Sequence, residues 1–280
     1  MIYYFLFSLI ILAAATIGAL AGIGGGVIIR PALDAFSYFE NSSISNTISS
    51  FCVLFVALTS ITKRVVSKEK IPNYKTSILL GIGAAVGGII GQLLFGILKA
   101  NSNKSILIIV QSIILIVLLI FVFIYMQFLN PKGKCMNIKN PVMKVVIGLM
   151  LGIISSFLGI GGGPINVAVL ALFFAMPIKE SSVNSLIVII FSQIAKIGYS
   201  LCDGSLINLF NIDALSGNDK GWWIFLLVLV PISVIGSLLG TFLNKKLPAK
   251  AISTMYIITI FIIIGINIYN IVNQSIILLS

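Results

Sequence analysis

Lys196 lies in an apolar stretch, and Ser192, Ser185 and Ser181 precede it at spacings of four, seven and four. At about 100° per residue these side chains form one narrow polar stripe on a helix, with Gln193 beside it. A stripe ending in a cation could draw an anion into apolar surroundings. The plainer alternative is a lysine near a helix end that snorkels back to water. Arg30 is the second cation out of place, four residues past Gly26 and just before Pro31. A charge at membrane depth costs at least about 2.5 kcal/mol on insertion scales and by default marks a functional residue. Arg30 could complement a bound anion or pair with Asp34 one turn later.

The third feature is GIGGG, which occurs at Gly22–Gly26 and again at Gly159–Gly163. Each copy ends one apolar run and begins another. Backbone without helical hydrogen bonds is tolerated at membrane depth only inside protein or against a wet cavity. A helix beginning there offers free N–H groups and a partial positive charge. Gly24, Gly25 and Gly26 in one copy and Gly161, Gly162 and Gly163 in the other would aim such donors at an anion from opposite sides. Pro164 suits the first turn of the second such helix. Tight packing is the alternative, and it is the better account of Gly83, Gly87, Gly91, Gly236 and Gly240, whose spacing of four puts them on one helix face. A nucleotide loop does not fit: Val27 stands where a dinucleotide turn needs glycine or alanine, and neither copy ends in Lys-Ser or Lys-Thr.

The elements that must position these residues follow from composition. Of 280 residues, 59% are hydrophobic and 9% charged, against roughly 25% charged in soluble domains. Runs such as Ile106–Phe128 and Tyr256–Val272 approach or exceed the ~20 residues that cross a bilayer. The chain reads as an all-α polytopic membrane protein with the lipid bilayer as its partner. The net charge of +11 sits in short loops, the pattern of cytoplasmic loops rather than of a nucleic-acid surface. Ile2–Ala21 lacks a basic flank and has a mid-chain counterpart, so it reads as a retained segment rather than a signal peptide.

The chain is one plan used twice. GIGGG recurs at an offset of 137, Asn46-Thr47 matches Asn184-Ser185 at 138, and Gly87 and Gly91 match Gly236 and Gly240 at 149. The expected division is a first transmembrane repeat at 1–130, a linker at 131–140 and a second repeat at 141–280. Each repeat has five elements: Ile2–Ala21, Val27–Phe39, Ile44–Lys63, Lys75–Leu98 and Lys104–Leu129, then Val142–Leu158, Pro164–Met176, Ser181–Leu201, Trp222–Leu243 and Ala249–Val272. The second element of each is about 20 Å long at 1.5 Å per residue, too short to cross comfortably alone. It reads as half of a broken helix or the arm of a re-entrant hairpin.

Counting the short elements puts thirteen basic residues on one side (Lys63, Arg64, Lys68, Lys70, Lys75, Lys132, Lys134, Lys139, Lys144, Lys179, Lys245, Lys246 and Lys250) and only Lys99, Lys104 and Lys220 on the other. By the positive-inside rule the first side is cytoplasmic and both termini are external, with Tyr3, Tyr4, Trp222 and Trp223 at the outer interface. Five elements per half make the repeats inverted, which places a substrate site between the halves near the midplane. Asn46 and Asn184 fall in the first turn of the third elements, where they would cap the helix or brace a glycine tip.

Absences narrow the function. There is no histidine, no metal-ligand cluster and no carboxylate pair on one face, so neither an enzyme nor a metal or other cofactor is expected. Cys52, Cys135 and Cys202 fall at different depths and sides, so no disulfide framework is implied. No acidic residue lies mid-way along a long span, as proton-coupled carriers usually require. Movement driven by the potential is then the simplest scheme, and each exported negative charge gains about 2.3 kcal/mol per 100 mV.

GIGGGVIIRPAL at Gly22–Leu33 and GIGGGPINVAVL at Gly159–Leu170, each followed by an Asn-Thr or Asn-Ser helix start, resemble the sulfite exporter TauE/SafE family of membrane permeases over nearly the whole chain. Ala168 stands where the second copy would match Pro31. The resemblance implies a multi-pass plasma-membrane transporter of sulfite, sulfonates or related organosulfur anions. The expected site is Gly24–Gly26 and Gly161–Gly163 with Arg30, braced by Asn46, Thr47, Asn184 and Ser185, with Ser192, Gln193 and Lys196 in the outer vestibule. A channel of the same architecture and a membrane assembly protein without a transported substrate are the alternatives. A homo-oligomer is compatible with the sequence.

Overall fold

The computed structural model describes residues 2–69, 73–129, 136–210 and 217–279. Lys70, Lys132, Lys134 and Cys135 lie outside them. The chain forms α1 (Ile2–Ala21), α2 (Gly26–Ala35), α3 (Ser42–Val66), α4 (Tyr74–Asn101), α5 (Lys104–Ile124), α6 (Pro141–Leu158), α7 (Gly163–Phe174), α8 (Ile178–Cys202), the single turn α9 (Ser205–Asn208), α10 (Trp222–Lys246) and α11 (Ala249–Leu279). Eight of these are long and apolar enough to span a membrane, and no strand occurs among the described residues. The outer faces carry bare apolar side chains, such as Phe5 at 75% exposure and Leu227 at 64%, as a lipid-facing surface requires.

Sequence-local chemistry sets most helix starts. Asn41 caps α3 by accepting from the Ser43 N–H, and Asn140 caps α6 from Val142, with Pro141 in the first turn. Asn46 and Asn184 are therefore not caps. α3 and α8 begin earlier than their first polar pair suggests, so these two side chains bond elsewhere: Asn46 accepts from Arg30, and Asn184 donates to the Glu180 carbonyl. α2 and α7 start from Gly25 and Gly162, at φ 76° and 73°, a left-handed backbone that costs other residues about 1–2 kcal/mol. α2 continues through Pro31, so the proline does not interrupt it.

Ring and hydrogen-bond contacts sort the helix ends into two faces. At one, Arg64 and Lys245 meet Glu69, Lys144 reaches Thr76, and Asn73 meets Glu180. At the other, Tyr3 packs on Tyr38 at 4.6 Å, the Glu40 and Asn41 amides donate to Asp219, and Lys99 reaches Ser43. The described basic loops thus gather at one end, as the charge pattern requires. α1 leaves the opposite end and runs until Asn244 donates to the Leu20 carbonyl, near the basic end; α2 then returns the chain to Tyr38. α6 and α7 form the counterpart hairpin from the basic end, where the Met136 and Ile138 amides bond the carbonyls of Leu172 and Phe173. Each hairpin returns to the end it started from, which is why omitting the short helices scrambles the topology.

Several of the helix pairs recur when the halves are exchanged. α1 packs on α10 and α6 on α4; α2 lies on α11 and α7 on α5; α3 meets α8 and α5 meets α11 across the middle. Glycine makes the tightest pairs possible. A Cβ on Gly83, Gly87 or Gly91 would overlap the Val145, Leu149 and Ile153 carbonyls of α6, and one on Gly236 would sit 2.7 Å from the Leu12 carbonyl of α1. Gly87→Ala should therefore destabilise the protein by about 1–3 kcal/mol, as overpacking does. Gly96→Ala, with open space around it, should not. Thermal unfolding of the two variants in detergent checks this.

Candidate functional site

Arg30, on α2, is 2% exposed. Its Nε donates to Asp34 Oδ2 at 2.9 Å, Nη2 to Gln111 Oε1 at 2.8 Å and Nη1 to Asn46 Oδ1 at 3.0 Å. Lys196, on α8, is 3% exposed, so it does not snorkel. Its Nζ donates to the same Asn46 Oδ1 at 2.7 Å and to Ser50 Oγ at 2.8 Å. Asn46 lies one turn into α3 and draws both cations to one amide oxygen. Asp34 is the single carboxylate bonded to either of them among the described residues, so with Arg30 and Lys196 both protonated the cluster has one positive charge that no bonded carboxylate balances. Burying such a charge among neutral acceptors is costly.

The cluster lies beneath a vestibule of ≈ 630 Å³ at the end opposite the basic loops, lined by Asn46, Thr47, Gln92, Phe95, Lys99 and Tyr199 among others. Asp203 is also on its wall. A pocket of ≈ 20 Å³ shares Asn46, Thr47 and Gln92 with the vestibule and adds Ser50 and Lys196. Gln92 Oε1 is buried there without a hydrogen-bond partner. One turn deeper, Gln193 is fully buried with both amide atoms unpartnered.

The glycine turns come next. A Cβ on Gly26 would sit 2.5 Å from the Ile160 carbonyl, and one on Gly163 would overlap the Ile23 carbonyl, so the turns lie backbone to backbone. Gly24 and Gly161 both rest on Val53 and Ile189, which with Ala57 and Leu186 form an apolar cluster between α3 and α8. In this conformation side chains and backbone fill the ground between the tips. Each turn is tied to the other half: Ser49 donates to the Gly159 carbonyl at 3.1 Å, and Ser185 donates to the Gly22 carbonyl.

Of the residues singled out from the sequence, Arg30, Asn46, Thr47 and Lys196 share one region, and the six glycines meet below it. Ser192 is bonded to its own helix at the Ile189 carbonyl and approached by Gly88. Asn184 accepts from Ser77 near the basic end. Ser192 and Asn184 therefore stand apart from the vestibule. Gln111, Ser50, Ser49 and Gln92 also belong to this region and were not among the expected site residues. Gln111 had a signal: it is the lone amide in the apolar α5, and such a group needs a partner inside the protein.

Ion pairs tie the helix ends together at the basic end. Arg64 bonds Glu69 at 3.2 Å and Asn244 at 2.7 Å, and Lys245 reaches Glu69 at 2.9 Å. The Lys245 hydrogen bond foremost, with the Arg64 charge, holds the Glu69 carboxyl below its ordinary range against some desolvation. A depressed carboxyl stabilises the fold above its unfolded value and loses that contribution as pH falls through the folded one. Glu69→Gln should therefore flatten the acid limb of Tm against pH.

A family model described as sulfite exporter TauE/SafE matches residues 7–268. The chain belongs to the sulfite exporter TauE/SafE family. A TauE/SafE assignment and eight membrane-length helices make it a multi-pass membrane transporter of the permease type. It is 25% identical over 271 residues to the Probable membrane transporter protein YunE of Bacillus subtilis (strain 168), covering 91% of this chain and 93% of that protein. No solved structure matches the chain. Within the TauE/SafE frame, the vestibule, the cation pair and the paired glycine turns lie in succession from one end toward the other.

Proposed function

We propose that the protein carries small oxyanions of the sulfite or sulfonate type across the plasma membrane, through two inverted repeats whose glycine-tipped hairpins form the central barrier. The vestibule faces outside, both termini are external, and the basic loops face the cytoplasm. The observation that carries the reading is Lys196: a buried ammonium at the floor of a vestibule, held by neutral acceptors alone. A charged side chain at membrane depth marks a functional site by default, and the complement of an ammonium is an anion.

The anion would meet Lys196, Arg30, Asn46 and Thr47 first. It would then pass Gln193 and the N–H groups that open α2 and α7, once Val53 and Ile189 part. The seal at the tips favours a carrier with alternating closures over an open channel. Flux of radiolabelled sulfite, sulfate, thiosulfate and taurine into proteoliposomes, with and without an imposed potential, tests the reading. Saturable flux of at least one of these anions is expected; absence of anion-dependent flux in every condition contradicts it.

A further inference from the structure

We propose that Asn46 Oδ1 holds the place of a substrate oxygen between Arg30 and Lys196, and that an oxyanion binds by displacing it. This rests on the transport reading above and adds a location and a charge to it. One amide oxygen accepts from a guanidinium at 3.0 Å and an ammonium at 2.7 Å. That is the position a sulfite or sulfonate oxygen would take, with a full negative charge where the amide has only a dipole.

The surroundings fit an exchange of acceptors. Arg30 is already aligned by Asp34 and Gln111, so its remaining arm is aimed before the anion arrives. Asn46 and Lys196 line the pocket that opens to the vestibule, and the unpartnered Gln92 Oε1 lines it too, offering an acceptor to an amide turned aside. With both cations protonated, a monoanion there neutralises the one positive charge that no bonded carboxylate balances. Gly159 packs so closely on Arg30 Nη1 and Asn46 Oδ1 that a Cβ would overlap both. Exchange at this point is therefore felt at the first residue of the second glycine turn, which links occupancy to the barrier below.

Two substitutions separate this role from a merely structural one. Asn46→Asp supplies the negative charge permanently. In detergent it should melt above the wild type, show no further Tm rise with sodium sulfite relative to sodium chloride of equal ionic strength, and lose at least about tenfold in liposome flux. Asn46→Ala withdraws the shared acceptor. It should melt below the wild type, and saturating sulfite should raise its Tm by at least about twice the wild-type shift, because the ligand then restores what was removed. Sulfate, thiosulfate and taurine serve as parallel arms. An Asn46→Asp protein with wild-type flux and sulfite response overturns the proposal, as does an Asn46→Ala loss that no anion restores. Absence of flux by the wild-type protein would instead remove the transport reading itself.

Discussion

Lys196→Met should abolish most anion transport and yet raise the melting temperature. A charge-assisted hydrogen bond is worth about 1.5–3 kcal/mol, so its loss alone should cost about 10- to 100-fold in affinity for the anion. Stability should move the other way. Lys196 is fully enclosed, and its acceptors Asn46 and Ser50 are neutral. Methionine fills similar space without a charge to desolvate, and such replacements are often neutral or stabilising. A side chain retained against its own contribution to stability is the expected mark of a functional site. Flux and Tm measured on the same preparation check both directions together. A variant that transports normally, or one that simply unfolds, contradicts the assignment.

Gly163→Ala should separate the two hairpins. One added methyl would collide with the Ile23 carbonyl, which is backbone and cannot rotate away. Overpacking of this kind costs about 1–3 kcal/mol. Because Gly163 begins α7 beside the first turn, the strain falls on the contact proposed above as the barrier, so an anion leak or loss of saturable transport should accompany the lower Tm. Gly198→Ala is the control. Nothing lies within 4 Å of its added methyl, and in a helix alanine is favoured over glycine by about 1 kcal/mol. It should leave transport intact and raise Tm slightly. Equal behaviour of the two variants would show that the tips do not bear on one another.

The architecture was readable in the sequence because lipid enforces it. Long apolar runs, a repeated GIGGG and a one-sided set of lysines each constrain the chain independently, and together they give the helix order and which of the described loops share an end. The site was readable only in part. Arg30 and Lys196 announce themselves as charges in apolar surroundings, but the residue that joins them, Asn46, looked like a helix cap. It looked so because the true cap, Asn41, lies outside the apolar run that defines α3 by eye. Gln111 and Ser50 act across 81 and 146 residues of chain, and no local pattern carries contacts of that separation. The glycine turns raise the converse difficulty: their motif marks a close approach but does not say whether a ligand or another backbone makes it. In this conformation Gly24 and Gly161 meet Val53 and Ile189, and Gly26 and Gly163 meet the backbone of the opposite turn.

Selenite, whose selenium scatters anomalously, can be soaked into crystals of the wild-type protein and of Lys196→Met. The wild type should show an anomalous peak whose oxygens lie about 2.7–2.9 Å from Lys196 Nζ and Arg30 Nη1, with the Asn46 amide turned away, and the variant should show none there. A peak confined to the protein surface, or one at the cation pair that persists without Lys196, would contradict the account.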